Sequence, residues 1–132
     1  MNENEISKHI VDAAYRVHVN LGPGLLEHVY EVVLAHELEK RELDVRRQVP
    51  VSITYDGLAF DEGYRADLIV NGLVLVELKS IEALSPVHPK QVLTYLRLLD
   101  LKLGLLINFN EAKIKNGIKR IINGQLQEAL CS

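Results

Sequence analysis

The sequence has one cysteine, no tryptophan, four prolines and no excess of basic side chains. Cys131 stands one residue from the end with no partner for an internal bridge, so a reducing compartment, the cytoplasm, is expected. Long apolar runs are missing too. Leu73–Val76 and Leu103–Ile107 fall far below the ~20 residues of a membrane helix. The start, Met1-Asn2-Glu3-Asn4-Glu5, lacks the basic region and apolar stretch of a secretion signal. Histidines at positions 9, 18, 28, 36 and 88 form no i, i+4 pair with an acid on one helix, so a zinc site is not expected. With 15 Lys/Arg against 18 Asp/Glu and a net charge of -3, bulk charge cannot hold nucleic acid tightly. No repeat or linker interrupts the 132 residues, enough for one domain with an ordinary core.

What is present is a change of hydrophobic period along the chain. Ile6, Ile10, Ala13, Ala14 and Val17 recur at helical spacing from Glu5 to Val19. Leu21-Gly22-Pro23-Gly24 breaks that helix, and a second is expected from about Leu25 to Lys40, with Leu26, Val29, Tyr30, Val33, Leu34, Glu37 and Leu38 along one side. From Val45 the period becomes two, with Val49, Val51, Ile53 and Tyr55 leading to the turn pair Asp56-Gly57. A strand over Glu62–Val70, the pair Asn71-Gly72 and a strand over Leu73–Lys79 complete a three-stranded meander. A helix after Ser85-Pro86 carries Val92, Leu93, Leu96 and Leu99, and Leu103–Phe109 reads as a buried strand. Lys113–Ile122 suggests an edge strand and Gln125–Leu130 a helical turn. The order α, α, β, β, β, α, β is an α/β layer pattern with a mixed sheet.

Chemistry concentrates in the second hairpin. Strict alternation places Tyr64, Ala66, Leu68 and Val70 on one face of their strand, and Val74, Val76 and Leu78 on the matching face of the next. Asp67, Glu77 and Lys79 then share the opposite face, provided that the connection has an odd length; a two-residue Asn71-Gly72 loop would mix the faces. We expect the odd connection. Asp67 and Glu77, with the Leu78 carbonyl, suit Mg²⁺ or Mn²⁺, which takes one or two carboxylates plus water and substrate oxygens. Lys79 would position the attacking water or stabilise phosphoryl charge. The bland reading is a surface ion pair between Glu77 and Lys79. Glu27, in the first turn of the second helix, is a third candidate ligand whose pKa the helix dipole would lower. Tyr30 lies on its face at i+3, and Gln91 and Tyr95 share a face at i, i+4. An amide and a phenol there can hydrogen-bond a phosphate, a base or a carboxylate.

Gly24-Leu25-Leu26-Glu27-His28-Val29-Tyr30 matches a GxxExxY signature, and the chain resembles the bacterial and archaeal GxxExxY family of the PD-(D/E)XK nuclease superfamily. The resemblance covers nearly the whole chain through Leu21–Gly24, Tyr64-Arg65-Ala66-Asp67, Glu77-Leu78-Lys79 and Gln91–Tyr95. Ala66 stands where the superfamily's name has proline. Gln91-x-x-x-Tyr95 is similar to the motif of RecB-like exonucleases, and Glu27 falls where that branch places a helix acid. The resemblance implies a restriction-endonuclease-like core and a Mg²⁺- or Mn²⁺-dependent phosphodiesterase acting on nucleic acid, DNA before RNA. Asp67, Glu77 and Glu27 would bind metal, Lys79 would assist water, and Gln91, Tyr95 and Tyr30 would orient substrate or carboxylates. A non-catalytic binding module with the same fold, acting through a partner or as a homodimer, and a small-molecule phosphoesterase are the alternatives.

Charge is unevenly spread: residues 1–40, 41–72 and 73–132 carry -4, -2 and +3. Once the three proposed ligands are set aside, the remaining surface is neutral. Weak, metal-assisted and salt-sensitive engagement of nucleic acid is expected, with tight binding left to a partner.

Overall fold

The structure, a computed structural model, describes residues 1–126. Its elements are α1 (Glu3–Leu21), α2 (Glu27–Lys40), β1 (Val45–Tyr55), β2 (Leu58–Val70), β3 (Val74–Lys79), α3 (Val87–Leu99), β4 (Leu103–Asn108) and β5 (Ile118–Ile122), with a short 3₁₀ turn, Ile114–Gly117, before β5. The expected edge strand is therefore β5, shorter than Lys113–Ile122 because the 3₁₀ turn takes its first half. The expected helical turn at Gln125–Leu130 extends beyond the described residues. No helix among those residues is long and apolar enough to cross a membrane.

Local chemistry sets the boundaries. Asn2 accepts from the Glu5 amide and Glu5 returns a bond to the Asn2 amide, a capping box that starts α1. Gly22 ends it at φ 71°. Asp56 and Gly57, both left-handed, close a two-residue hairpin in which Tyr55 faces Leu58. Between β2 and β3 the loop spans three residues, so Val70 faces Val74 and Leu68 faces Val76. This is the odd connection, and it aligns Asp67 with Glu77.

The five strands lie in the order β1-β2-β3-β4-β5, with β3 and β4 parallel and the other pairs antiparallel. The mixed sheet with helices on both faces is a restriction-endonuclease-like arrangement. The helices α1 and α2 cover one face, burying Leu68, Val70, Val74, Val76, Leu78, Leu103, Leu105 and Ile107. Across the sheet, α3 packs Val92 and Leu96 on Ile69, Leu75 and Leu106. That approach needs Gly104: a Cβ there would lie 2.8 Å from Val92 Cγ1. Beyond β3, among the described residues, 58–66 of β2 pair with β1 alone, and the hairpin tip exposes Tyr55, Leu58 and Phe60.

Two sequence readings need correction. The buried side of α2 is Tyr30, Glu31, Leu34, Ala35 and Leu38, whereas Leu26 is 77% exposed and Val29 partly so. The helix is rotated because Glu31 turns inward to Arg47 and Gln48, bonding Arg47 Nη2 at 2.9 Å and Gln48 Nε2 at 2.5 Å. Strict alternation also fails in the first hairpin. Val45, Leu68 and Val70 side with α1 and α2, but Val49, Val51, Tyr64 and Ala66 side with α3. The switch falls between Arg47↔Leu68 and Val49↔Ala66, where Gln48 adopts φ 52° opposite Asp67. A left-handed residue reverses the pleat, so Tyr64 joins the face that carries Glu77.

Candidate active site

One small cleft of about 160 Å³ gathers Glu27, Asp67, Glu77, Lys79, Gln91 and Tyr95, together with Tyr64, Arg65 and His88. Asp67 occupies the pleat reversal of β2, and Glu77 lies opposite on β3. Beyond Leu68↔Val76 the ladder gives way to side-chain bonds. The Asp67 amide donates to Glu77 Oε2 at 3.1 Å, and the Leu78 amide donates to Asp67 Oδ2 at 2.9 Å. Each carboxylate thus caps the backbone of the other's strand, which holds both acids at the point where the strands part.

The remaining acceptors have partners as well. Gln48 Nε2 reaches Asp67 Oδ1 at 3.4 Å, and the Tyr64 hydroxyl donates to Glu77 Oε1. Glu77 is only 6% exposed, and burial, reinforced by the Asp67 carboxylate, pushes its carboxyl up to about 8. No Glu77–Lys79 salt bridge forms among the described residues, so the surface ion-pair reading fails. Lys79 follows Glu77 by one strand repeat and enters the same cleft.

Glu27 arrives from the other side of the sheet through a fixed loop. Gly24, at φ 101°, turns the chain in a conformation that favours glycine. The Ser80 hydroxyl donates to the Leu25 carbonyl at 2.5 Å, tying this loop to the end of β3. Glu27 then opens α2 and lines the cleft. Its pKa is raised, not lowered as the helix dipole alone would have it. Burial dominates, Lys79 opposes it, and Asp67 and Glu31 add repulsion. Glu27 does not close a three-acid cage: among the described residues, no group of three His, Cys, Asp or Glu stands ready to hold an ion.

Tyr30 stays out of the cleft, contrary to the expectation that it orients substrate. Its ring is fully buried and stacks on Phe109 at 4.5 Å between centroids. Its hydroxyl donates to the Gly22 carbonyl at 2.6 Å and accepts from the Leu25 amide at 3.1 Å, which locks the Gly-Pro-Gly loop. Leu78 likewise sends its side chain into the core under α1 and α2, leaving its backbone beside the carboxylates. His88, which no sequence motif singles out, also lines the cleft, and the Ser85 amide donates to its Nδ1 at 2.9 Å. Arg65 is bidentate to Glu62. The Glu31–Arg47 pair has no signal in the sequence, and neither does the left-handed Gln48, whose side chain bonds both Glu31 and Asp67.

The model of the PD-(D/E)XK nuclease superfamily matches residues 4–121. The chain belongs to that superfamily. No curated protein and no solved structure matches it.

Proposed function

We propose that this protein is a divalent-metal-dependent nuclease that hydrolyses phosphodiester bonds of nucleic acid, DNA in preference to RNA. One observation carries the reading: the Glu77 carboxylate accepts from the Asp67 amide and the Asp67 carboxylate from the Leu78 amide, which holds the two acids side by side with Lys79 in the same cleft. Two facing carboxylates, one of them buried, are short of positive charge, and a proton meets that need only in part. The donor set fits Mg²⁺ or Mn²⁺, since two carboxylates with open solvent positions are what such ions accept. Asp67 and Glu77 would hold the ion, with Glu27 and the Leu78 backbone at its margin. When bound, the metal would lower the pKa of its water and neutralise developing phosphoryl charge.

The chain's own groups supply the rest. Lys79 adds a fixed positive charge beside the carboxylates, where it can steady an attacking water or a phosphoryl oxygen. Gln91, exposed at the cleft wall, offers an amide donor and acceptor to substrate. The cleft is about 160 Å³, roughly half the lower end of the ~300–1,000 Å³ usual for enclosed small-molecule sites. That favours a phosphodiester reaching in from an outer strand over a swallowed metabolite. The GxxExxY and RecB-like resemblances support a DNA-processing role, and the lone Cys131 supports a cytoplasmic one.

Metal-dependent cleavage of plasmid and linear DNA, measured with and without a chelator, tests the proposal. Lys79→Ala should cost about 10²–10³ in rate, in line with losing one fixed charge stabiliser, with the melting temperature nearly unchanged. Asp67→Asn should be equally inactive. Equal cleavage by both variants and the parent would overturn the reading, and absence of Mn²⁺ binding at millimolar metal would favour a non-catalytic module.

A further inference from the structure

Tyr64 opens the Tyr64-Arg65-Ala66-Asp67 stretch and has no role in the resemblance, yet it makes two independent contacts at the centre of the cleft. Its ring stacks on Tyr95 with centroids 3.6 Å apart and planes within 9° of parallel. Its hydroxyl donates to Glu77 Oε1, while the Asp67 amide takes Oε2 at 3.1 Å. A carboxylate held at both oxygens, one from the backbone and one from a ring clamped by a helix, has a single orientation. Among the described residues the Tyr95 side chain forms no hydrogen bond; its contribution in the cleft is a flat surface provided by α3.

We propose that Tyr64 is a positioning residue which, clamped by Tyr95, fixes the Glu77 carboxylate for metal binding, so that the tyrosine of the Gln91-x-x-x-Tyr95 motif acts through its ring and not through its hydroxyl. The inference rests on the metal-binding reading above. It reverses the expectation from sequence that the Tyr95 phenol does the hydrogen bonding. The pleat reversal at Gln48 and Asp67 makes it work, since with strict alternation Tyr64 would face α1 and α2. Outer groups that orient a metal ligand typically contribute about 10–100-fold in metal affinity.

Titration of the full chain with Mn²⁺, by calorimetry and by the electron paramagnetic resonance signal of free Mn²⁺, tests the inference without requiring turnover. Tyr64→Phe keeps the stack and removes only the hydroxyl; it should weaken Mn²⁺ binding by about 10-fold or more. Tyr95→Phe should change it less than about twofold, and Tyr95→Leu, which removes the clamp, should approach the Tyr64→Phe loss. On a Glu77→Asp background, where the carboxylate is one methylene short of the hydroxyl, Tyr64→Phe should add nearly nothing. That background separates positioning from a general loss of folding, which would persist there. Equal affinity of Tyr64→Phe and the parent, or a larger loss from Tyr95→Phe, would overturn this inference alone. A parent that binds no Mn²⁺ would overturn the metal reading and the inference together.

Discussion

The two faces of the sheet are built for different tasks. Under α1 and α2, the strand residues from Leu68 to Ile107 form one dry surface, 0 to 1% exposed, with no charge among them. Under α3 the apolar patch of Ile69, Leu75 and Leu106 gives way within a few residues to Asp67, Glu77 and Lys79. Burying a carboxylate beside another costs free energy, and the dry face is where that cost is offset. Substitutions should therefore separate cleanly. Leu34→Ala, fully buried under the dry face, should lower unfolding free energy by about 2–5 kcal/mol in denaturant titration. Lys79→Ala should leave it nearly unchanged while removing activity. A Leu34→Ala cost below about 1 kcal/mol would break the division of labour.

The reactive face should show itself next through pH. With its carboxyl pushed up to about 8, Glu77 takes up a proton more readily folded than unfolded. Between the ordinary carboxylate range and pH 8 the native state binds more protons, so stability of the metal-free protein falls as pH rises and levels off above 8. The slope should approach the order of 1 kcal/mol per pH unit within that window. Glu77→Gln should flatten it. Saturating Mn²⁺ should reverse the trend, because the ion replaces the proton and binds better as the carboxyl ionises. A metal-free melting temperature that rises from pH 5 to 8 would contradict the assigned environment of Glu77.

Much of this was legible in the sequence because local signals were unambiguous. Periodicity located α1, α2 and α3, turn pairs located both hairpins, and the alternation of Val74, Val76 and Leu78 placed Glu77 and Lys79 on the face opposite those three side chains. The odd connection after Val70 could be inferred because only it aligns Asp67 with Glu77. What escaped reading depends on tertiary structure. A positive φ at Gln48 has no composition signal, so the reversal that brings Tyr64 and Ala66 to the α3 face was hidden. The inward turn of Glu31 depends on Arg47, which lies 16 residues away in another element. Helical period alone assigned Leu26 and Val29 to the core, although α2 is rotated by that ion pair.

Tyr30 is where the two faces meet, and its hydroxyl sets the smallest of these effects. Its ring lies in the dry core against Phe109, while the hydroxyl grips the Gly22 carbonyl and the Leu25 amide of the loop that carries Glu27 to the cleft. Tyr30→Phe keeps the packing and removes both bonds, so about 1 kcal/mol of stability should be lost. The informative quantity is what accompanies that loss. If the loop is what presents Glu27, the same variant should lower cleavage severalfold, and combining it with Glu27→Gln should lower it little further, because both changes remove one contribution. Additive losses would mean that Ser80, which ties Leu25 to the end of β3, holds Glu27 in place without help from the core.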